Sequence, residues 1–280
     1  MRPVIEKEGF KIRHIIYIVV IIICIVAIGI AVYMQFFRDE KLGVILGITN
    51  NEEEDNSEKE NFLNIFDSTL TIVANYDGNV NKILKDEDII INNNTQEQTE
   101  RYTLDIRIPY FNINSNVAKE LNNEIRDTFD AKSQSIINSN DENNVIYNVK
   151  YKAYEYNNIL SLVVLSELKE GNNNQRIIIQ TYNYNLKENK IVAIDEILEQ
   201  KQIDSSYAND KIKDEIDKSQ EQNIKLSDLG YNTNIRDSDA DMYKIENAKE
   251  FFIGDNGKLY IVYAYGNSEY TSEMDIVIFE

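Results

Sequence analysis

The chain has 280 residues and a formal charge of −19, from 29 Lys and Arg against 48 Asp and Glu, with one His, one Cys and no Trp. An anionic excess of this size repels nucleic acid and favours cationic partners. His14 and Cys24 both precede residue 25, so the rest of the chain can hold no disulfide, no Ser-His-Asp or Cys-His catalytic set and no histidine-ligated zinc.

In chain order, residues 1–14 form a short tail carrying Arg2, Lys7, Lys11 and Arg13 against Glu6 and Glu8. The next 20 residues, 15–34 (IIYIVVIIICIVAIGIAVYM), contain no charge. That length matches the roughly 20 helical residues that cross a bilayer core, and the run is apolar all round rather than along one stripe. It predicts a transmembrane signal-anchor over residues 15–37. The basic tail orients it with the N-terminus in the cytoplasm and everything from about Arg38 outside. A cleavable signal peptide is the competing reading, but its apolar core runs about 7–15 residues and ends in small residues. Here the exit is Tyr33, Met34, Gln35, Phe36 and Phe37, which suits an interfacial aromatic belt. Ile21, Ile22 and Ile23 before Cys24 do not fit lipid attachment, so Cys24 reads as a lipid-facing side chain. The first 37 residues hold four basic and two acidic side chains, which leaves 25 against 46, or −21, on the remainder.

Residues 38–60 include the run NEEEDNSEKE, too polar to bury a core, and read as an acidic linker. Residues 61–94 carry β-type runs at 69–74 and 89–91, with a turn signal at Asp77-Gly78, and predict a strand-rich lead-in. Then Tyr102, Leu104, Ile106 and Ile108 alternate with polar residues as in a half-buried strand, which Pro109 is expected to end. Val117, Leu121, Ile125 and Phe129 recur every four residues, one face of an amphipathic helix with Ser115 or Asn116 as N-cap. Residues 145–156, 159–167 and 176–186 are rich in Val, Ile and Tyr. Asn157-Asn158 and residues 171–174 separate them, which predicts an antiparallel meander. Residues 194–198 and 207–222 predict two helices, the second carrying Ile212 and Ile216. Residues 251–253, 259–265 and 274–279 predict closing strands around the turn Asp255-Asn256-Gly257. The order predicts an α+β fold, antiparallel sheets with packed helices, preceded by one N-terminal transmembrane helix.

These elements carry a family resemblance. IRIPYFNINSNVAKELNNEI (residues 106–125) and YKAYEYNNILSLVVLSEL (residues 151–168) resemble the opening strand and helix and the central hairpin of the accessory domain of PdaC-type peptidoglycan deacetylases. TYNYNLKENKIVAIDEIL (residues 181–198) and FFIGDNGKLYIVYAYGNSEYTSEMDIVIF (residues 251–279) resemble the start and the closing strands of the C-terminal domain of RsiV-type anti-sigma factors. The likeness covers residues 102–279 and implies two extracytoplasmic α+β domains, at 95–182 and 183–280, on a single-pass anchor in Gram-positive bacteria. In RsiV-type proteins that region binds lysozyme, and proteolysis then releases a sigma factor. Here the roughly 14-residue tail is too short for a sigma-binding domain, and the deacetylase motifs His-x-x-x-His and Thr-Phe-Asp-Asp-Gly are absent. The family's Pro- and Ala-containing loop is replaced by residues 265–270 (YGNSEY), so a binding surface there is altered.

No catalytic, cofactor or metal residues are predicted. Asp237, Asp239 and Asp241 resemble the start of a calcium loop, but Met242 and Ala248 stand where the pattern needs Gly and an acid. Tyr147, Tyr151, Tyr154 and Tyr156, with Tyr260, Tyr263, Tyr265 and Tyr270, read either as sheet packing or as a stacking platform. Tyr263, Tyr265 and Tyr270 are the candidate binding residues. The expected function is that of a membrane-anchored extracytoplasmic binding or sensor protein of the cell envelope. Its expected partners are the membrane, through one helix, and a cationic protein such as lysozyme or peptidoglycan; nucleic acid is not one. Two alternatives stay open, a carboxylate-dependent wall hydrolase and a structural accessory of a membrane complex.

Overall fold

A computed structural model describes residue 62 and residues 88–139, 144–231, 233–265 and 273–280. The apolar run at 15–34, the linker at 38–60, most of the lead-in at 61–94 and Tyr270 lie outside the described residues. The chain divides into two units, Met1–Glu53 and Glu54–Glu280, and the fold below belongs to the second. No helix among the described residues is long and apolar enough to cross a membrane.

Strands β1 (Ile90–Gln98) and β2 (Tyr102–Phe111) form an antiparallel hairpin. As the alternation requires, β2 buries Tyr102, Leu104, Ile106 and Ile108. Pro109 does not end the strand, which continues to Phe111. The reason lies in the pairing: β3 leaves β2 after Ile106, so the missing N–H of Pro109 falls where one side of β2 is already an edge.

Ser115 caps the helix that follows, its Oγ accepting from the Ala118 N–H at 3.0 Å. Helix α1 (Asn116–Ile125) runs through a π-helical stretch at Arg126–Asp130 into α2 (Ala131–Asn138). Together they bury Ala118, Leu121, Ile125, Phe129 and Ile136. This crossover returns the chain parallel to β2, so β3 (Val145–Tyr156) pairs with β2 in parallel register, Tyr102 opposite Val145. The sheet is therefore mixed rather than wholly antiparallel, because a helical connection of this length lets the chain re-enter from the same end. Strands β4 (Ile159–Glu170), β5 (Arg176–Asn185) and β6 (Lys190–Ile191) continue as the expected antiparallel meander. Asn157 and Asn158 make the first turn at φ 51° and 65°, the left-handed pair that a two-residue hairpin demands.

Helices α3 (Ile194–Lys201) and α4 (Ser205–Asp228) come next. Asp204 caps α4 by accepting from the N–H groups of Ser206 and Tyr207. Strands β7 (Glu250–Ile253), β8 (Leu259–Ala264) and β9 (Met274–Phe279) form a second, three-stranded antiparallel sheet. At the β7–β8 turn Gly257 has φ +78°, and a Cβ there would meet the Tyr156 ring at 2.6 Å, so the position needs glycine on both counts.

Three apolar clusters define four layers in the order helix, sheet, sheet, helix. α1 and α2 pack on one face of the six-stranded sheet. The opposite face of β4 and β5, with Val163, Leu165, Ile177 and Ile179, packs against Phe252, Val262, Ile276 and Ile278 of the small sheet, joined by Phe62. α3 and α4 cover the outer face of the small sheet. The boundary expected between residues 182 and 183 falls inside β5, whose two ends serve the same sheet.

Candidate functional site

The two sheets meet along a hydrogen-bonded seam. β7 is short, and among the described residues its outer edge has no strand beside it. Its main-chain groups are satisfied instead by side chains from β4 and β5, as buried backbone requires. The Ile253 N–H donates to Ser161 Oγ at 3.1 Å, and Ser161 donates in turn to Asn183 Oδ1 at 2.6 Å. Asn183 Nδ2 donates to the Phe251 carbonyl at 2.7 Å. The Phe251 N–H donates to Thr181 Oγ1 at 2.9 Å, and that hydroxyl donates to Glu250 Oε2 at 3.1 Å. Glu250 Oε2 also accepts from the Thr181 N–H at 2.6 Å. Burial pushes the Glu250 carboxyl above the ordinary glutamate value of 4.5, against the lowering effect of the two Thr181 bonds.

Where this seam ends, the sheets part around a cavity of about 760 Å³, within the size range of ligand pockets. Ile177, Ile179, Val262 and Ala264 contribute apolar lining, and Asp241, Glu246 and Glu250 contribute carboxylates, with Lys249 beside them. Ile178 and Met242, also in the lining, are 39% and 49% exposed. The cavity lies against an open strand edge. The Thr181 N–H and the Asn183 carbonyl, which accepts from the Val192 N–H, both point away from β4. Residues of the same parity, Ile177 and Ile179, therefore turn their N–H and C=O groups outward too. β6 covers only Tyr184 and Asn185, and among the described residues nothing takes up the outward groups of Ile177 and Ile179.

Of the candidate tyrosines, Tyr263 also borders this cavity, and Tyr265 does not. Tyr263 and Tyr265 are 6% and 8% exposed and belong to the cluster beneath α3 and α4, so neither ring is offered to solvent. Tyr265 donates to Asp275 Oδ2, which leaves Tyr243 as the donor in the 2.7 Å bond between the two phenols. Arg236 closes the network through Nε to Asp275 and Nη1 to Glu273 at 2.9 Å, with its guanidinium 4.8 Å from the Tyr265 ring centre. Burial would lower the Arg236 pKa, but the hydrogen bond and charge of Asp275 outweigh it and the net shift is upward. Burial and the Asp275 charge push the Tyr265 phenol well above 10. This set is a structural knot, and beside it the buried Tyr263 hydroxyl lacks a hydrogen-bond partner among the described residues. Other tyrosines sandwich Phe252, with Tyr154 and Tyr260 stacked at 5.5 and 4.6 Å.

The three aspartates of the calcium-like run go separate ways. Asp237 accepts from the Asp239 N–H, Asp239 pairs with Lys213, and Asp241 pairs with Lys244, which depresses the Asp241 carboxyl. Among the described residues no group of three His, Cys, Asp or Glu side chains converges as a metal site would. The seam and the Arg236 knot escaped the sequence reading because Thr, Asn and Glu within strands carry the same signal as solvent-facing positions.

No protein-family model matches the chain. No curated protein matches it either. Among solved structures, a DUF3298 family protein from Pseudomonas aeruginosa PAO1 is similar over 68% of this chain and 89% of its own, with 11% identity and a TM-score of 0.42. A DUF3298 family member from Bacteroides fragilis is similar over 68% and 88%, with 11% identity and a TM-score of 0.39. Both belong to a domain family of unknown function.

Proposed function

We propose that this chain is a single-pass, membrane-anchored binding protein of the Gram-positive cell envelope, its N-terminus cytoplasmic and its α+β region outside. The observation that carries the reading is the cavity, where apolar lining and the carboxylates of Asp241, Glu246 and Glu250 stand together. Such a site suits a cationic protein or a wall component bearing amines. The charge-free run at residues 15–34 and the −21 charge on the rest of the chain support the same reading. So does the resemblance to the PdaC-type accessory domain and the RsiV-type C-terminal domain, whose partner class includes lysozyme. The full chain in lipid nanodiscs should bind lysozyme or muropeptides in a titration, with affinity falling as salt rises. Absence of binding to both removes this function.

One observation favours a second reading, a carboxylate-dependent wall hydrolase. Burial raises the Glu250 carboxyl while Lys244 lowers that of Asp241, and both line one cavity. Divergent carboxyls are the arrangement acid–base hydrolysis needs. Against it, Glu250 Oε2 is held by Thr181 and Asp241 by Lys244. Purified peptidoglycan incubated with the full chain should release no sugar or peptide if binding is the function, and release that Glu250→Gln abolishes would establish the hydrolase.

A further inference from the structure

The open edge of β5 offers more specificity than the cavity does. Ile177 and Ile179 present two N–H and two C=O groups outward, with no partner among the described residues. Their side chains are buried against the small sheet and form part of the cavity lining. A strand laid on this edge would satisfy four main-chain groups, and every second side chain would enter the apolar space between Val262 and Ala264. Exposed strand edges are normally shortened, charged or covered. Here the edge is apolar, with Ile178 at 39% exposure. The charge beside it is anionic on balance, Asp241, Glu246 and Glu250 against Lys249 and the Lys244 that pairs with Asp241.

We infer that the β5 edge captures an extended, Lys- or Arg-bearing segment of a partner protein as an added strand, apolar residues filling the cavity and cationic ones meeting the carboxylates. Main-chain pairing supplies affinity in this mode, and pockets for alternate side chains supply selectivity. The inference rests on the binding function proposed above and names the kind of partner and the way it docks. A wall glycan offers no peptide backbone for such pairing. A second copy of this chain would bring its own carboxylates against those of the first, which the charge disfavours.

The test uses the full chain in neutral detergent micelles. The probe is a fluorescent, acetylated peptide alternating valine and lysine, with an alternating valine and glutamate peptide as its opposite. Binding is read by anisotropy and by amide exchange at Ile177 and Ile179. The lysine peptide should bind at least about tenfold more tightly than the glutamate peptide, and the two amides should exchange at least about tenfold more slowly in its presence. Ala264→Leu, which fills the cavity from β8, should weaken binding about tenfold. Glu246→Gln, on the exposed rim, should weaken it about threefold with melting unchanged. Equal affinity for both peptides, no binding at millimolar peptide, or binding that leaves the two amides unprotected each overturns the proposal. Protection that rises with protein concentration and no peptide does the same, because the occupant is then a second copy. Lysozyme or muropeptide binding with both amides exchanging freely would sink the strand-edge proposal and leave the binding function standing. Peptide capture without binding of either would do the reverse.

Discussion

The six-stranded sheet is covered on its two faces by opposite strategies. On the front, α1 and α2 meet β2, β3 and β4 chiefly through apolar side chains such as Leu104, Ile106, Leu121, Ile125, Phe129, Val149 and Leu162, with the buried hydroxyls of Ser133 and Ser166 as minor polar members. On the back, the small sheet meets β4 and β5 through an apolar cluster and, beside it, the buried polar line of Ser161, Asn183, Thr181 and Glu250. Apolar packing is non-directional, so it holds layers together without fixing where one lies on the other. Hydrogen bonds to the main chain of β7 are directional and fix the placement. The front interface accounts for stability, and the back seam for where the second sheet stands, and therefore for the cavity at its end.

The same device recurs at smaller scale. Where β3 has left β2, Asn122 from α1 takes up both main-chain groups of Phe111, donating to its carbonyl at 2.9 Å and accepting its N–H at 2.7 Å. At these two places the amides of Asn122 and Asn183 thus stand in for part of a missing strand.

The largest effect should come from the front. Phe129→Ala removes a fully buried ring at the π-helical stretch and should cost about 3–5 kcal/mol in chemical denaturation. A loss below about 1 kcal/mol would show that the helix layer collapses onto the sheet without it. The seam should give less. Asn183→Ala strips the Phe251 carbonyl and the Ser161 hydroxyl of partners, an expected cost of about 1–3 kcal/mol. The sharper form is the pair Ser161→Ala with Asn183→Val. Replacing two polar side chains that bond only each other is often neutral. Here the orphaned groups belong to the β7 main chain and cannot be mutated away, so the double variant should be less stable than either single one. Recovery in the double variant would mean that the seam is only a side-chain pair.

The sequence disclosed the front face and hid the back one for the same reason. Alternation in β2 and four-residue spacing in α1 report which side chains leave water, and the expected spans at 145–156, 159–167 and 176–186 lie close to Val145–Tyr156, Ile159–Glu170 and Arg176–Asn185. The parallel pairing of β2 with β3 left no such mark, since hydrophobic period records a face and not a neighbour. Helix α4 was expected to stop at 222 because no apolar stripe continues past Ile216. It reaches Asp228 because Asn223 donates to the Asn234 carbonyl and Gln220 accepts from the Arg236 N–H. Tyr263 and Tyr265 were legible as strand residues, but which side they face depends on the helices laid over β8 and β9.

The smallest effect, and the most specific to the seam, concerns the charge on Glu250. Its carboxyl is raised above 4.5 by burial, so the folded state binds the proton more tightly than the unfolded chain does. The contribution of that group is therefore fully present below pH 4.5 and is lost as pH rises through the higher folded value. Glu250→Gln keeps an oxygen acceptor for the two Thr181 donors and has no proton to lose. The native chain should lose stability relative to Glu250→Gln as pH climbs from 4.5, until the carboxyl is fully ionised and the difference levels off. Every other carboxylate titrates alike in both proteins, so the difference in melting temperature against pH isolates this one. A flat difference would mean that the ionised carboxylate is as well accommodated as the neutral acid, the Thr181 bonds then matching the cost of burial. The opposite slope would require a cation near Glu250 in the folded protein. Lys249, its neighbour in the chain, already lowers the Glu250 pKa, and combining Lys249→Met with the native glutamate should steepen the decline.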